Sequence, residues 1–230
     1  MIELQKNNRI FTIIFRTFGY DFNDVIKEFN SFCEGGHPVF SGHDENYPKK
    51  YFDGTHGSKD YRIKEYNIGV IYRFDDDINN TVLVLGTLER INVKKVDDLF
   101  SYYDELIDQR KINLIKGGKK IFEFINNNST SGKINSFCFN DHYDAWFKHD
   151  KNSICGKPMF IDPNNKDIEV FFFDDNIENT KKSIVDCRNV NTGDIIETKD
   201  IKDKYLVITD TLKAAEDEYY FLNKIENVEK

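Results

Sequence analysis

A run of hydrophobic positions at residues 168–173 reads Ile-Glu-Val-Phe-Phe-Phe. Only Glu169 interrupts it, and two carboxylates and an amide follow directly, at Asp174, Asp175 and Asn176. Nearly continuous apolar runs, rich in aromatic and β-branched residues, are typical of parallel strands that are buried on both faces. Ligands of such α/β folds bind beyond the carboxyl ends of the strands. The pattern therefore predicts a central strand that brings Asp174 and Asp175 to the ligand-binding edge of a sheet.

The start of the chain predicts a strand, a short turn and a helix. Residues 9–15 are apolar at nearly every position, which favours a strand. Residues 22–33 carry apolar side chains at helical spacing, with Asp21 placed to cap the helix and Gly35 and Gly36 placed to end it. This order is the opening of a βαβ unit.

The remaining pattern alternates between strands and helices. An acidic turn at residues 75–80 separates two strand-like segments, 69–74 and 81–85, which predict a hairpin. Further strands are expected at 133–139, 183–187 and 205–208, and helices at 96–108, 119–126 and 211–225. The alternation predicts an α/β fold with a doubly wound, mostly parallel sheet.

Residues 37–66 differ in character from the rest of the chain. They contain Gly and Pro punctuation, several lysines and arginines, and histidines whose spacing matches no metal-ligand pattern. We therefore expect one domain over residues 1–230 with a loop-rich insertion or cap at 37–66.

Composition narrows the possible partners. The chain has 32 basic and 40 acidic residues, a net charge of −8, which argues against a broad surface for nucleic acid or anionic membrane. The chain has no apolar stretch long enough to span a membrane and no secretory signal. We therefore expect neither a membrane-spanning helix nor secretion. Four scattered cysteines with no C-x-x-C pair predict reduced thiols and a cytoplasmic protein.

Polar residues follow three predicted strands and are the candidates for chemistry. Arg16 and Thr17 end the first strand, Asn140 and Asp141 end the middle one, and Asp174 and Asp175 end the strand at 168–173; Lys157 lies between the last two sites. Carboxylates that meet at one sheet edge repel each other unless a cation offsets their charge. This is the usual setting of a Mg²⁺ site that also holds phosphate.

These motifs resemble those of the haloacid dehalogenase-like phosphohydrolase superfamily, over most of the chain outside residues 37–66. Residues 168–175 resemble the family's fourth motif, an apolar strand that ends in two acidic residues, and Asn176 fits what often follows. Lys157 is similar in placement to the third-motif lysine. Asn140 stands where the second motif usually has Ser or Thr. The resemblance implies Mg²⁺ at Asp174 and Asp175.

The first motif departs from the family pattern. Residues 15–20 read Phe-Arg-Thr-Phe-Gly-Tyr where the family has Phe-Asp-x-Asp-Gly-Thr. Arg16 therefore replaces the nucleophilic aspartate and Phe18 replaces the general acid, and neither can form or support an aspartyl-phosphate. We expect Arg16 to pair instead with Asp174 or Asp175.

The resemblance with this departure implies a superfamily member that has lost phosphatase activity and binds a small phosphorylated molecule or a protein partner. Arg16, Thr17, Asn140, Asp141, Lys157 and Asn176 would line its cleft, and no catalytic residue is assigned. The alternative is an active Mg²⁺-dependent phosphohydrolase with a non-standard site around Asp141, Asp174 and Asp175. A third possibility is that the chain is a fragment of a longer protein.

Two further clusters of polar residues lie near the ends of predicted strands. His142 with Asp141 or Asp144 could form an acid–base pair, or the same residues could begin a helix whose Trp146 packs into the core. Asp186 and Arg188 flank Cys187 and are expected to form a supporting ion pair rather than a site.

Overall fold

The computed structural model describes residues 1–38, 51–104, 106–107, 112–177, 183–202 and 204–228. The chain forms two compact units. Unit 1 comprises Met1–Tyr72 and Thr81–His142, and unit 2 comprises Arg73–Asn80 and Tyr143–Lys230. Residues 39–50, within the predicted insertion, lie outside the described residues. The single domain and the insertion at 37–66 stay predictions.

Unit 1 is built on a five-stranded mixed sheet in the order β1-β5-β2-β3-β4. The middle strand β5 is parallel to both of its neighbours, whereas β3 is antiparallel to β2 and to β4. The strands are β1 (Ile13–Thr17), β2 (Ile68–Tyr72), β3 (Val82–Leu85), β4 (Asn113–Lys116) and β5 (Ser136–Asp141). The prediction of a doubly wound, mostly parallel sheet is therefore wrong.

The β2–β3 hairpin explains why the sheet is mixed. A short turn can join only antiparallel strands, because parallel neighbours need a crossover connection of a dozen or more residues. The sequence itself predicts this hairpin at 69–74 and 81–85, and the structure confirms it, with Gly69 opposite Leu85 and Tyr72 opposite Val82. Strand β4 then adds to β3, and the sequence pattern missed it.

Unit 2 contains two small parallel sheets. Strand β6 (Lys157–Ile161) pairs with β8 (Val185–Asn189), and β7 (Phe172–Asp174) pairs with β9 (Leu206–Ile208). The central buried strand predicted at residues 168–173 is wrong, because only its last two residues belong to β7 and all six are exposed or partly buried. An apolar run alone does not specify a place in a sheet.

Several helices lie where the spacing of apolar residues predicts them. The helix expected at 22–33 is confirmed with the same bounds, whereas the one expected at 211–225 is two helices separated at residues 217–219. The described helices are α1 (Ile2–Lys6), α2 (Phe22–Cys33), α3 (Val96–Asp104), α4 (Gly118–Thr130), α5 (Tyr143–Lys148), α6 (Thr198–Ile201), α7 (Thr211–Glu216) and α8 (Tyr220–Val228).

The core of unit 1 lies on both faces of β5, in which every residue is buried. On one face, Cys138 packs with Phe22 of α2 and with Leu88. On the other, Phe137 contacts Phe124 of α4 at 6.1 Å between ring centroids. Burying a phenylalanine side chain contributes about 1.5–3 kcal/mol, so these contacts fix the sheet between its two helices.

Candidate functional site

The carboxyl ends of β1 and β5 bring Arg16 and Asp141 together in unit 1. Arg16 lies opposite Phe139 in the parallel register, and Asp141 follows Phe139 by two residues, so both side chains are on one face of the sheet. Arg16 Nε donates to Asp141 Oδ2 at 2.7 Å, and Arg16 Nη2 donates to Oδ1. Their side chains are 13% and 2% exposed. This is a bidentate, largely buried ion pair.

A second guanidinium reaches the same strand end. Arg90 Nη1 donates to the main-chain oxygen of Asp141 at 3.3 Å, and Arg90 Cζ lies 4.4 Å from the centroid of the Tyr20 ring. The loop that carries Arg90 is anchored next to it, where the main-chain nitrogen of Ile91 donates to Tyr72 Oη at 2.9 Å. Tyr20 is 77% exposed. Sequence reasoning missed Arg90 and Tyr20, because loop residues show no periodic signal.

Thr17 and Asn140 lie on the opposite face of the sheet, which α2 covers. They are register partners, and each side chain makes a hydrogen bond to a main-chain group. Thr17 Oγ1 accepts from the main-chain nitrogen of Gly19 at 2.8 Å, and Asn140 Nδ2 donates to the Leu88 oxygen at 3.1 Å. Asn140 Oδ1 is buried without a hydrogen-bond partner among the described residues. On the face that α2 covers, these hydrogen bonds therefore hold the carboxyl ends of β1 and β5 in place.

The other predicted site residues belong to unit 2. Lys157 begins β6, and its Nζ is 2.8 Å from Asp174 Oδ2, with side chains only 7% and 8% exposed. Asp174 Oδ1 accepts from the main-chain nitrogen of Asn176 at 2.9 Å, and the exposed Asp175 accepts from Asn176 Nδ2 at 2.7 Å. The structure describes Asp141 as an ion-pair partner of Arg16 within unit 1, and the predicted pairing of Arg16 with Asp174 or Asp175 stays a prediction.

Asp174 and Asp175 offer the oxygen ligands that Mg²⁺ prefers. However, both oxygens of Asp174 already accept hydrogen bonds, one of them from the Lys157 ammonium. Over the described ranges, no group of three or more His, Cys, Asp and Glu side chains is arranged to hold a metal. Lys157 supplies the positive charge that an ion would bring, so these residues fit a metal-free ion pair better than a Mg²⁺ site.

Asp186 and Arg188 form a buried charge network on the face of the β6–β8 sheet opposite Lys157. Asp186 accepts from Arg188 Nε and from Arg73 Nη1, each at 2.8 Å. The expected Asp186–Arg188 ion pair is therefore confirmed, whereas the contact of Arg73, the residue directly after β2, was not foreseen.

His142 follows β5 directly and contacts the neighbouring strand β2. Its main-chain nitrogen donates to the Ile71 oxygen at 3.0 Å, and its ring lies 5.1 Å from that of Tyr72. The helix expected just after it is confirmed as α5. An acid–base role for His142 stays a prediction.

No family model, curated protein or solved structure matches this chain, so the likeness to haloacid dehalogenase-like proteins depends on its short motifs alone. None of the helices in the described part of the chain has the length and apolar character that crossing a membrane would require.

Proposed function

We propose that the chain is a ligand-binding module that does not transfer phosphate, and that its ligand binds at the carboxyl ends of β1 and β5. The observation that carries this proposal is the bidentate Arg16–Asp141 pair. Arg16 occupies the position at which a related hydrolase would need its nucleophile, and a guanidinium has only donor groups and cannot attack phosphorus.

The same pair argues against Asp141 as a replacement nucleophile. Both carboxylate oxygens accept hydrogen bonds from the Arg16 guanidinium, so their lone pairs are directed at a cation. A close guanidinium stabilises the negative charge of a carboxylate and occupies the lone pairs that would attack, so it makes the carboxylate a poorer nucleophile. The pair therefore supports binding rather than covalent catalysis.

The ligand that suits this strand end is a small phosphorylated molecule. Arg90 bonds a neutral main-chain oxygen and lies against the exposed Tyr20 ring, so its guanidinium can present further donors to a phosphate. Helix α2, 12 residues long, begins just after this turn and directs its positive dipole end toward it. Asp21, at the start of the helix, opposes an anion and would favour a monoanion over a dianion.

Phosphate binding tests this proposal directly. Inorganic phosphate and para-nitrophenyl phosphate are titrated into the protein, followed by NMR and calorimetry. A charged hydrogen bond contributes about 1.5–3 kcal/mol, so Arg90→Met is expected to weaken binding roughly tenfold or more. The control, Lys133→Met, removes the same charge from an exposed residue just before the amino end of β5 and should leave the affinity unchanged. Equal losses in the two variants would show a nonspecific charge effect.

Turnover separates the binding module from the Mg²⁺-dependent phosphohydrolase. We expect no release of para-nitrophenol with Mg²⁺ present. Steady release that is lost in Asp175→Asn, a change at an exposed residue that leaves the Lys157–Asp174 pair intact, would establish the enzyme instead.

We keep the cytoplasm as the proposed compartment. All four cysteines are free and buried. Burial raises the pKa of the Cys33 and Cys187 thiols to about 12 and that of Cys138 to about 11. Unpaired thiols of this kind suit a reducing compartment.

A further inference from the structure

The guanidinium of Arg188 in unit 2 has one donor group without an acceptor. Nε donates to Asp186 Oδ1 at 2.8 Å, and Nη1 donates to the main-chain oxygen of Gly193 at 3.2 Å. Nη2 is buried and has no hydrogen-bond partner among the residues that the structure describes. The Arg188 side chain is only 8% exposed, so bulk water does not compensate for the missing acceptor.

The neighbouring arginine explains this arrangement. A guanidinium that binds a carboxylate side-on uses Nε and Nη2, one for each oxygen. Here the second oxygen of Asp186 accepts from Arg73 Nη1 at 2.8 Å, so Arg188 Nη2 loses the acceptor that a bidentate pair would provide. Asp186 thus divides its two oxygens between two guanidiniums.

The charge of the surrounding side chains also favours an anion as the acceptor for Arg188 Nη2. Arg73, Arg188 and Asp186 together carry one net positive charge, with Arg73 and Asp186 each 2% exposed. The carboxylates of Asp75 and Asp76 lie near the same buried Cys155 as Arg73 and Asp186, and they offset part of this charge. A buried water would supply an acceptor for Nη2 but no negative charge, whereas an anion supplies both.

We propose that Arg188 Nη2 is the binding position of a small oxyanion, of the size of phosphate or acetate. The turn at residues 190–194 borders the site, because its Gly193 oxygen accepts from Arg188 Nη1, and its residues Asn191, Thr192 and Asp194 are exposed. Arg188 belongs to unit 2, whereas Arg16 and Arg90 belong to unit 1.

The test uses the full chain with Arg90→Met as the background, which weakens the strand-end site and leaves Arg188 unchanged. Melting temperature is measured against phosphate and acetate at constant ionic strength. We expect a concentration-dependent rise that is lost with Arg188→Gln and retained with Lys199→Gln, which removes an exposed charge from the same unit. Asp186→Asn makes the site more positive and is expected to enlarge the rise.

A second measurement covers the case in which Arg188→Gln fails to fold. The arginine Nε–H resonances of the Arg90→Met protein are followed by NMR during the same titrations, with Arg188 assigned from Arg188→Lys. A saturable shift of the Arg188 resonance supports the site. No shift with either anion, or a rise in melting temperature that persists in Arg188→Gln, overturns it.

Discussion

The Arg16–Asp141 pair makes a quantitative prediction about unit 1. Replacing one partner leaves the other charge largely buried, because the two side chains are 13% and 2% exposed. Breaking a buried pair in this way costs about 3–5 kcal/mol, whereas replacing both partners by apolar residues of similar volume is often close to neutral. Since Arg16 retains some access to water, we expect the lower end, about 3 kcal/mol, for Arg16→Met and for Asp141→Leu.

The double variant Arg16→Met with Asp141→Leu measures the coupling energy between the two side chains. If each single change costs about 3 kcal/mol and the double variant costs no more than either, the coupling energy of the pair is at least about 3 kcal/mol. Urea unfolding followed by circular dichroism gives the free energies of unfolding. Hydrogen exchange on peptides from β1 and β5 assigns the effect to unit 1, which matters because the chain has two compact units.

An exposed pair provides the control. Lys95 and Asp98 lie 3.8 Å apart with side chains 68% and 45% exposed, and such pairs couple by about 0.2–1 kcal/mol. If the Arg16–Asp141 coupling falls in that range too, the pair is not the buried, structure-determining contact on which the proposed function depends.

Three further predictions follow from contacts elsewhere. Gly69→Ala places a methyl group 2.7 Å from the Val84 main-chain oxygen in the β2–β3 hairpin, so it should cost about 1–3 kcal/mol, and an unchanged urea midpoint would contradict this. The cysteine thiols, whose pKa values burial raises, should resist a thiol reagent at pH 8 until urea unfolds the chain; a thiol that reacts within minutes in the native protein would refute this. Burial opposes ionisation of Asp60, but hydrogen bonds from Arg62 and Lys64 outweigh it and lower the pKa to about 2 from 3.8. The resulting stability is complete above pH 3.8 and is lost as the pH falls toward 2, so Asp60→Asn should flatten the fall in melting temperature over that window; parallel curves would argue against it.

The parts of the fold that the sequence predicted correctly are local. Helix α2 has the predicted bounds because its apolar face repeats with the helical period, and the β2–β3 hairpin follows from two strand-like segments around a polar turn. The error at residues 168–173 has the opposite cause. An apolar aromatic run indicates burial but not its partners, and here Phe173 packs edge-on against Phe221 of α8, at 5.2 Å between ring centroids, instead of entering the main sheet.

The candidate site divides in the same way. Arg16 and Asp141 were found because they end two apolar segments, and the parallel register of β1 and β5 brings them onto one face. Arg90, Tyr20 and Arg73 carry no such signal, because each lies in a loop or turn whose path is set by residues far away in the chain.

The amino-acid sequence by itself determined where helices and several strands form, that the cysteines are unpaired, and that charged residues stand at strand ends. These are consequences of side-chain period and polarity, which act between near neighbours. Only the tertiary structure decided that the sheet is mixed, that Arg16 faces Asp141 while Lys157 faces Asp174, and that Asp186 serves two arginines. The choice of partner for each strand and each charge depends on packing between residues distant in the chain, which no local pattern records.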